Sequence, residues 1–120
     1  MRLLALRGAI SCDEDTKEVV TAQTQRLVRE MLDRNGVAHD DLVSIIFTAT
    51  DDLTSEFPAT AARRLGLGDV PLICARELAI AHGMPRVVRV LMHLYTQRSR
   101  KEMHHVYLDG ARALRDDLPE

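Results

Sequence analysis

Arg89 lies in VVRVLMHLYT, Val87 to Thr96, an apolar run that reads as a buried strand yet carries a permanent positive charge near its start. A guanidinium cannot shed its proton, so burying it demands a carboxylate, a dense set of acceptors or an anionic ligand. The alternative is a residue near the strand end whose side chain escapes to solvent. Upstream, VPLICARE places Cys74 and Glu77 three residues apart. A lone cysteine on an apolar strand is more often a small core residue than a nucleophile, and no histidine stands near Cys74 in sequence to activate it. His104 and His105 are adjacent, so on a strand they point to opposite faces and cannot share a metal, while His39, His82 and His93 are scattered. The chain has no GxSxG elbow, GxxxxGK[ST] phosphate loop, HExxH or GxGxxG. Two classes of function are left: a binding or structural domain, or an enzyme whose reaction needs no nucleophile, metal or nucleotide.

The elements that must position these residues are those of one small domain. At 120 residues the chain can build a single core, and it is expected to form one domain over 1–120. Its residues are 46% hydrophobic and 28% charged, with a net charge of -2 and no basic face, which points to a folded globular protein and away from nucleic acid. No stretch approaches the roughly 20 apolar residues of a membrane helix, and MRLLALRGAIS is too short and too interrupted by Arg7 for a signal-peptide core. Cys12 and Cys74 show neither CxxC nor zinc-ligand spacing, so reduced thiols and a cytoplasmic location are expected. Of the sixteen basic residues only Lys17 and Lys101 are lysine. Arginine content therefore says little, and position must discriminate.

Residues 2–10 alternate loosely and read as a first strand. Asp15 or Thr16 can cap a helix running to about Asn35, with Val20, Leu27, Val28, Met31 and Leu32 on one face and Gly36 just past its end. LVSIIFTAT, 42–50, is a second strand expected to be buried on nearly both faces, ended by Asp51 and Asp52. Pro58 suits the first position of a short helix that Gly66 stops. Further strands are expected over 70–76, 87–96 and 105–108, with AHGMP a loop and QRSRKEM a turn. The fold class is thus α/β (α+β): a mixed sheet of about five strands packed against one long and one short helix. Such a sheet leaves a face or an edge in need of a partner, which implies oligomerisation. On a regular strand Cys74 and Glu77 face opposite sides, so both line one pocket only if the strand ends near Arg76.

Several short motifs in this order resemble the chorismate mutases of the single-domain AroH type. They are Arg7-Gly8-Ala9, Ala49-Thr50-Asp51-Asp52-Leu53, Phe57-Pro58-Ala59 with Ala61-Ala62-Arg63, and Pro71 with Cys74 and Glu77. After these come Pro85-Arg86, Arg89-Val90, His105-Val106-Tyr107-Leu108 and Leu114-Arg115. The resemblance implies a pseudo-α/β-barrel homotrimer with active sites in clefts between subunits. It also implies the Claisen rearrangement of chorismate to prephenate, without cofactor or metal. By the same resemblance Arg89 meets the ether oxygen, and Glu77 and Cys74 hold the ring hydroxyl. Arg7 and Tyr107 bind a carboxylate, Phe57 walls the pocket, and Ile73 contributes backbone. Arg63, Leu114 and Arg115 complete the clamp and its closure. Each of these residues also has an ordinary structural reading, as a surface arginine, a helix staple or a strand aromatic. Two other functions remain open: a trimeric imine deaminase, whose fold is related, and a non-catalytic module that binds a chorismate-like anion.

Overall fold

The computed structural model of the chain describes residues 1–114. Strand β1 (Arg2–Ser11) leads into helix α1 (Lys17–Asn35). Thr16 is the cap, its hydroxyl accepting from the Val19 N–H at 3.1 Å, and Gly36 closes the helix at φ 59°, a left-handed conformation that glycine adopts without a Cβ clash. Of the two residues expected to compete for the cap, Asp15 is turned elsewhere. Strand β2 (Leu42–Ala49), helix α2 (Pro58–Ala62), strands β3 (Leu72–Arg76) and β4 (Val87–Thr96) and the short strand β5 (Val106–Leu108) follow. Pro58 occupies the start of α2, and Gly66, at φ 86°, ends the wider helical turn that continues it.

The five strands form one sheet in the order β3-β2-β4-β1-β5. β4 runs antiparallel to both β1 and β2, while β1–β5 and β2–β3 are parallel. β3 and β5 are therefore its edges. This mixed five-stranded sheet with one long and one short helix is the architecture expected from the sequence.

One face of the sheet carries Leu4, Leu6, Ile10, Ile45, Phe47, Val88, Val90, Met92 and Leu94, which pack with Val20, Leu27, Val28 and Met31 of α1 into the main core. The registers Gly8↔Val90, Ala9↔Arg89 and Thr48↔Arg89 fix the opposite parity for Arg7, Ala9, Thr48, Arg89 and Leu91. One expectation changes here, and one left open is decided. β2 is not buried on both faces: only Ile45 and Phe47 are fully covered, because α1 lies on one side alone. Of the two readings open for Arg89, each is met in part: it falls on the side away from α1 with its side chain 43% exposed, while its Nε is shielded from solvent.

α1 lies so close to β1 that a Cβ built on Gly8 would come within 2.6 Å of Met31 Sδ and 3.1 Å of Leu27 Cδ1. Gly8→Val is expected to cost about 1 to 3 kcal/mol by overpacking, read as a lower urea midpoint. An unchanged midpoint would show that α1 can lift away from the sheet. Among the described residues no helix is long and apolar enough to cross a membrane.

Candidate functional site

On the sheet face away from α1, Arg7 of β1, Thr48 of β2, Arg89 of β4 and Tyr107 of β5 line a cavity of ≈ 330 Å³ together with Glu77. Their convergence follows from strand order, because β2, β4, β1 and β5 are successive neighbours and each presents one residue to the same side. Glu77 comes from beyond the end of β3. Its N–H donates to the Ala49 carbonyl at 2.9 Å, extending the parallel ladder by one bond before the chain turns away.

The Glu77 carboxylate is fixed from two directions. Thr48 Oγ1 donates to its Oε2 at 2.5 Å, and Arg89 Nε lies 3.4 Å from the same oxygen. That Arg89 contact is an ion pair without hydrogen-bond geometry: Nε is shielded from solvent and has no hydrogen-bond partner among the described residues. The guanidinium thus has its inner nitrogen against Glu77 and its outer part open. Of the partners that an arginine on this strand demands, a carboxylate, a set of acceptors or an anionic ligand, the fold supplies a protein carboxylate. With Arg7 exposed beside this pair, the cluster holds two cations and one anion. A planar guanidinium with free N–H groups donates to anionic or electron-rich oxygens.

Tyr107 is 8% exposed and packs with Ala9, Val87 and Ala111, with Leu114 and Met84 against them. The turn 109–114 that brings in Leu114 is tied down by Asp109, whose carboxylate accepts from Gln23 Nε2 at 2.6 Å and Arg26 Nη1 at 2.9 Å. The Arg26 bond, then Gln23, holds the Asp109 carboxyl below its usual range. Arg115 lies outside the described residues.

A second cavity of ≈ 360 Å³ opens beside β3 and is lined by Phe57, Pro58, Cys74, Ala75 and the loop that follows β2. Phe57 is 68% exposed on its rim. The chain just before it is held by Asp15, a residue whose sequence position suggests only a helix cap. The Asp15 carboxylate accepts five hydrogen bonds, from the N–H and hydroxyl groups of Thr54 and Ser55, at 2.7 to 3.1 Å. Those bonds, the Ser55 hydroxyl foremost, lower its pKa to about 2, so it stays ionised throughout the neutral range.

Cys74 and Glu77 do not meet in one chain. β3 ends at Arg76, the condition under which they could share a pocket, but Cys74 points toward the α1 side and is partly buried against the core, while Glu77 turns to the other face. Ile73, 60% exposed on β3, and Arg63, exposed just after α2, line neither cavity. The expected site residues therefore form two groups. Arg7, Glu77, Arg89 and Tyr107 share the open face, with Leu114 beside them. Phe57 and Cys74 line the cavity at the β3 edge, with Ile73 on the same strand, while Arg63 follows α2 and joins neither group. Among the described residues no group of three or more His, Cys, Asp or Glu side chains is placed to hold a metal.

One helix on one face of a mixed sheet, with a cationic cluster on the open face, defines a small α+β protein equipped to receive an anion. The family described as chorismate mutase type I matches residues 3–118. The chain is 46% identical over 114 residues to chorismate mutase AroH of Thermus thermophilus, covering 94% of this chain and 93% of that protein. It is 34% identical over 119 residues to chorismate mutase AroH of Bacillus subtilis (strain 168), covering 98% and 94%. The solved chorismate mutase from Clostridium thermocellum superposes with a TM-score of 0.90 at 41% identity, covering 92% of this chain and 98% of that one. The chain belongs to the chorismate mutase type I family.

Proposed function

We propose that this protein is an isomerase that rearranges chorismate to prephenate, in a site built from two copies of the chain. The observation that carries the reading is the cluster of Arg7, Arg89 and Glu77 on an open sheet face, in a chain of this family. Chorismate is a dianion with an enolpyruvyl ether. In the Claisen rearrangement the ether C–O bond breaks as a new C–C bond forms, within one molecule, so no group is added or lost. Bond breaking runs ahead, and negative charge grows on the ether oxygen. A site for this reaction must hold a flexible dianion in its compact shape and place a fixed cation at that oxygen.

Arg89 takes the ether oxygen. Its inner nitrogen is held against Glu77 while the outer part of the guanidinium faces the cavity, so the cation is oriented before substrate arrives. Glu77 holds the ring hydroxyl, and Arg7 and Tyr107 receive a carboxylate. Phe57 and Cys74 wall the other side, with the backbone of Ile73 and the side chains of Arg63 and Leu114 completing the enclosure. Accelerations by enzymes begin at about 10⁶-fold, or about 8 kcal/mol. A preorganised donor worth about 3 to 4 kcal/mol supplies nearly half of that, and restriction of the substrate's conformation supplies most of the rest.

The two residue groups occupy separate cavities of one chain, so a complete site pairs the open face of one copy with the β3 edge of another. Leu3, Tyr95 and Ile73 support this arrangement. All three lie on the face away from α1 and are 46 to 60% exposed, leaving apolar surface that a single copy does not cover. A closed ring of three copies, with no cofactor, is the assembly proposed. Two free cysteines, Cys12 and Cys74, suit the reducing cytoplasm as its location.

Purified protein added to chorismate is expected to consume its ultraviolet absorbance, with prephenate identified by acid conversion to phenylpyruvate. A folded oligomer that binds chorismate but leaves it unchanged would overturn the reading in favour of a binding module.

A further inference from the structure

Two stretches of the sequence pattern, Thr50-Asp51-Asp52 and Pro85-Arg86, have no part in the chemistry above, yet they meet at one end of the sheet. Both oxygens of the Asp52 carboxylate accept from the Arg86 N–H, at 3.1 and 3.0 Å. Thr50 Oγ1 donates to Asp52 at 2.5 Å and accepts from the Val87 N–H at 3.0 Å, while the Thr50 N–H donates to the Val87 carbonyl at 3.1 Å. Arg86 also ties in β1: its Nε donates to the Cys12 carbonyl at 3.0 Å, and its own carbonyl accepts from the Cys12 N–H at 2.8 Å. The ends of β1 and β2 and the start of β4 are thereby knotted together.

Arg86 sits in the knot at φ 50°, a left-handed conformation that a residue with a Cβ keeps only where its surroundings over-determine it. The location gives the strain a consequence. The loop 77–86 leaves the sheet at Glu77 and returns at Arg86, one residue before β4 begins and three before Arg89. The Glu77–Arg89 pair therefore flanks this loop: Glu77 stands at its first residue, and Arg89 is the third residue of the strand that follows it, paired with Ala9 of β1 and Thr48 of β2. The Glu77 end is held by the bond to Ala49, the Arg86 end by Asp52.

We infer that Asp52 is a positioning residue: by pinning the Arg86–Val87 turn it fixes the start of β4 and so the placement of the Arg89 guanidinium against Glu77. The inference rests on the reading of Arg89 as the cation at the ether oxygen. A misplacement of about 1 Å at a reacting group can cost about 100-fold. Asp52→Ala is accordingly expected to lower kcat about 10- to 100-fold, with a smaller change in KM, and to speed amide exchange at Arg86 and Val87. Asp52→Asn keeps an acceptor oxygen for the Arg86 N–H and should restore most of the rate.

The deciding comparison is a double-mutant cycle with Arg89→Lys. If Asp52 acts through Arg89, adding Asp52→Ala to Arg89→Lys lowers kcat by less than about 2-fold further. Losses that multiply in full, or an Asp52→Ala enzyme with unchanged kcat, would overturn the inference. Should Asp52→Ala fail to fold, Thr50→Val removes one hydroxyl from the same knot and is held to the same cycle. Absence of turnover in the unmutated protein would instead overturn the functional reading, and the two failures are thus told apart.

Discussion

Arg89→Lys is expected to lower kcat about 10²- to 10³-fold, with KM changing far less, although the substitution keeps a positive charge. The loss follows from geometry. Removing one preorganised donor to a developing oxyanion costs about 2.7 to 4 kcal/mol, and a lysine cannot replace this one. The Arg89 side chain does two things at once: its shielded Nε lies 3.4 Å from Glu77 Oε2, and its outer nitrogens face the cavity. A lysine ammonium is a compact point charge that is drawn to Glu77 or points into the cavity, but does not span both with a rigid plane. Arg89→Ala should lose at least as much, because Glu77 then keeps its charge without its cationic neighbour and repels a dianionic substrate. Steady-state kinetics on both variants, with melting temperatures to show that they fold, read this directly. Near-normal turnover by Arg89→Lys would remove Arg89 from the role assigned to it.

Much of the fold was legible because its signals are local. The apolar spacing from Val20 to Leu32, a threonine cap and Gly36 delimit α1 in the sequence as they do in the structure. Pro58 and Gly66 likewise bracket the short helix and its extension. Strand content read correctly, but burial did not. Nothing in LVSIIFTAT or VVRVLMHLYT says that only one face of the sheet is covered, since that depends on where α1 comes to rest. Apolar residues such as Ile46 and Leu91 on the open face made both strands look enclosed. The single arginine in β4 was the visible departure from that pattern, and strand parity explains it.

The candidate site was legible as a set of residue types, and its division into two groups was not. Strand parity already separated Cys74 from Glu77, but the end of β3 at Arg76 left their meeting open. Which cavity each one lines depends on the neighbours β2 and β4, far away in sequence. The carboxylates that hold the loops in place were also hidden. Asp15 reaches residues 39 and 40 positions away and Asp52 one 34 positions away, so each looked from sequence like an ordinary helix or turn acid.

The proposed division of the site between copies has the largest observable consequence. Arg89→Ala removes the cation assigned to the open-face half and leaves the β3-edge half intact. Phe57→Glu does the reverse: it puts a carboxylate at an exposed position on the edge cavity, where it repels a dianion, and leaves Arg89 untouched. Each variant alone should be nearly inactive. In oligomers assembled randomly from equal amounts of the two, about one site in four pairs an intact open face with an intact edge, as independent choice of the two contributing copies requires. The measurement is chorismate turnover after the two variants are unfolded, mixed and refolded together, compared with each refolded alone. Recovery of about a quarter of normal activity, found only in the mixture, is the result expected for a site assembled from two copies. A mixture no more active than the average of its two components would contradict it, and would place the whole site within one chain.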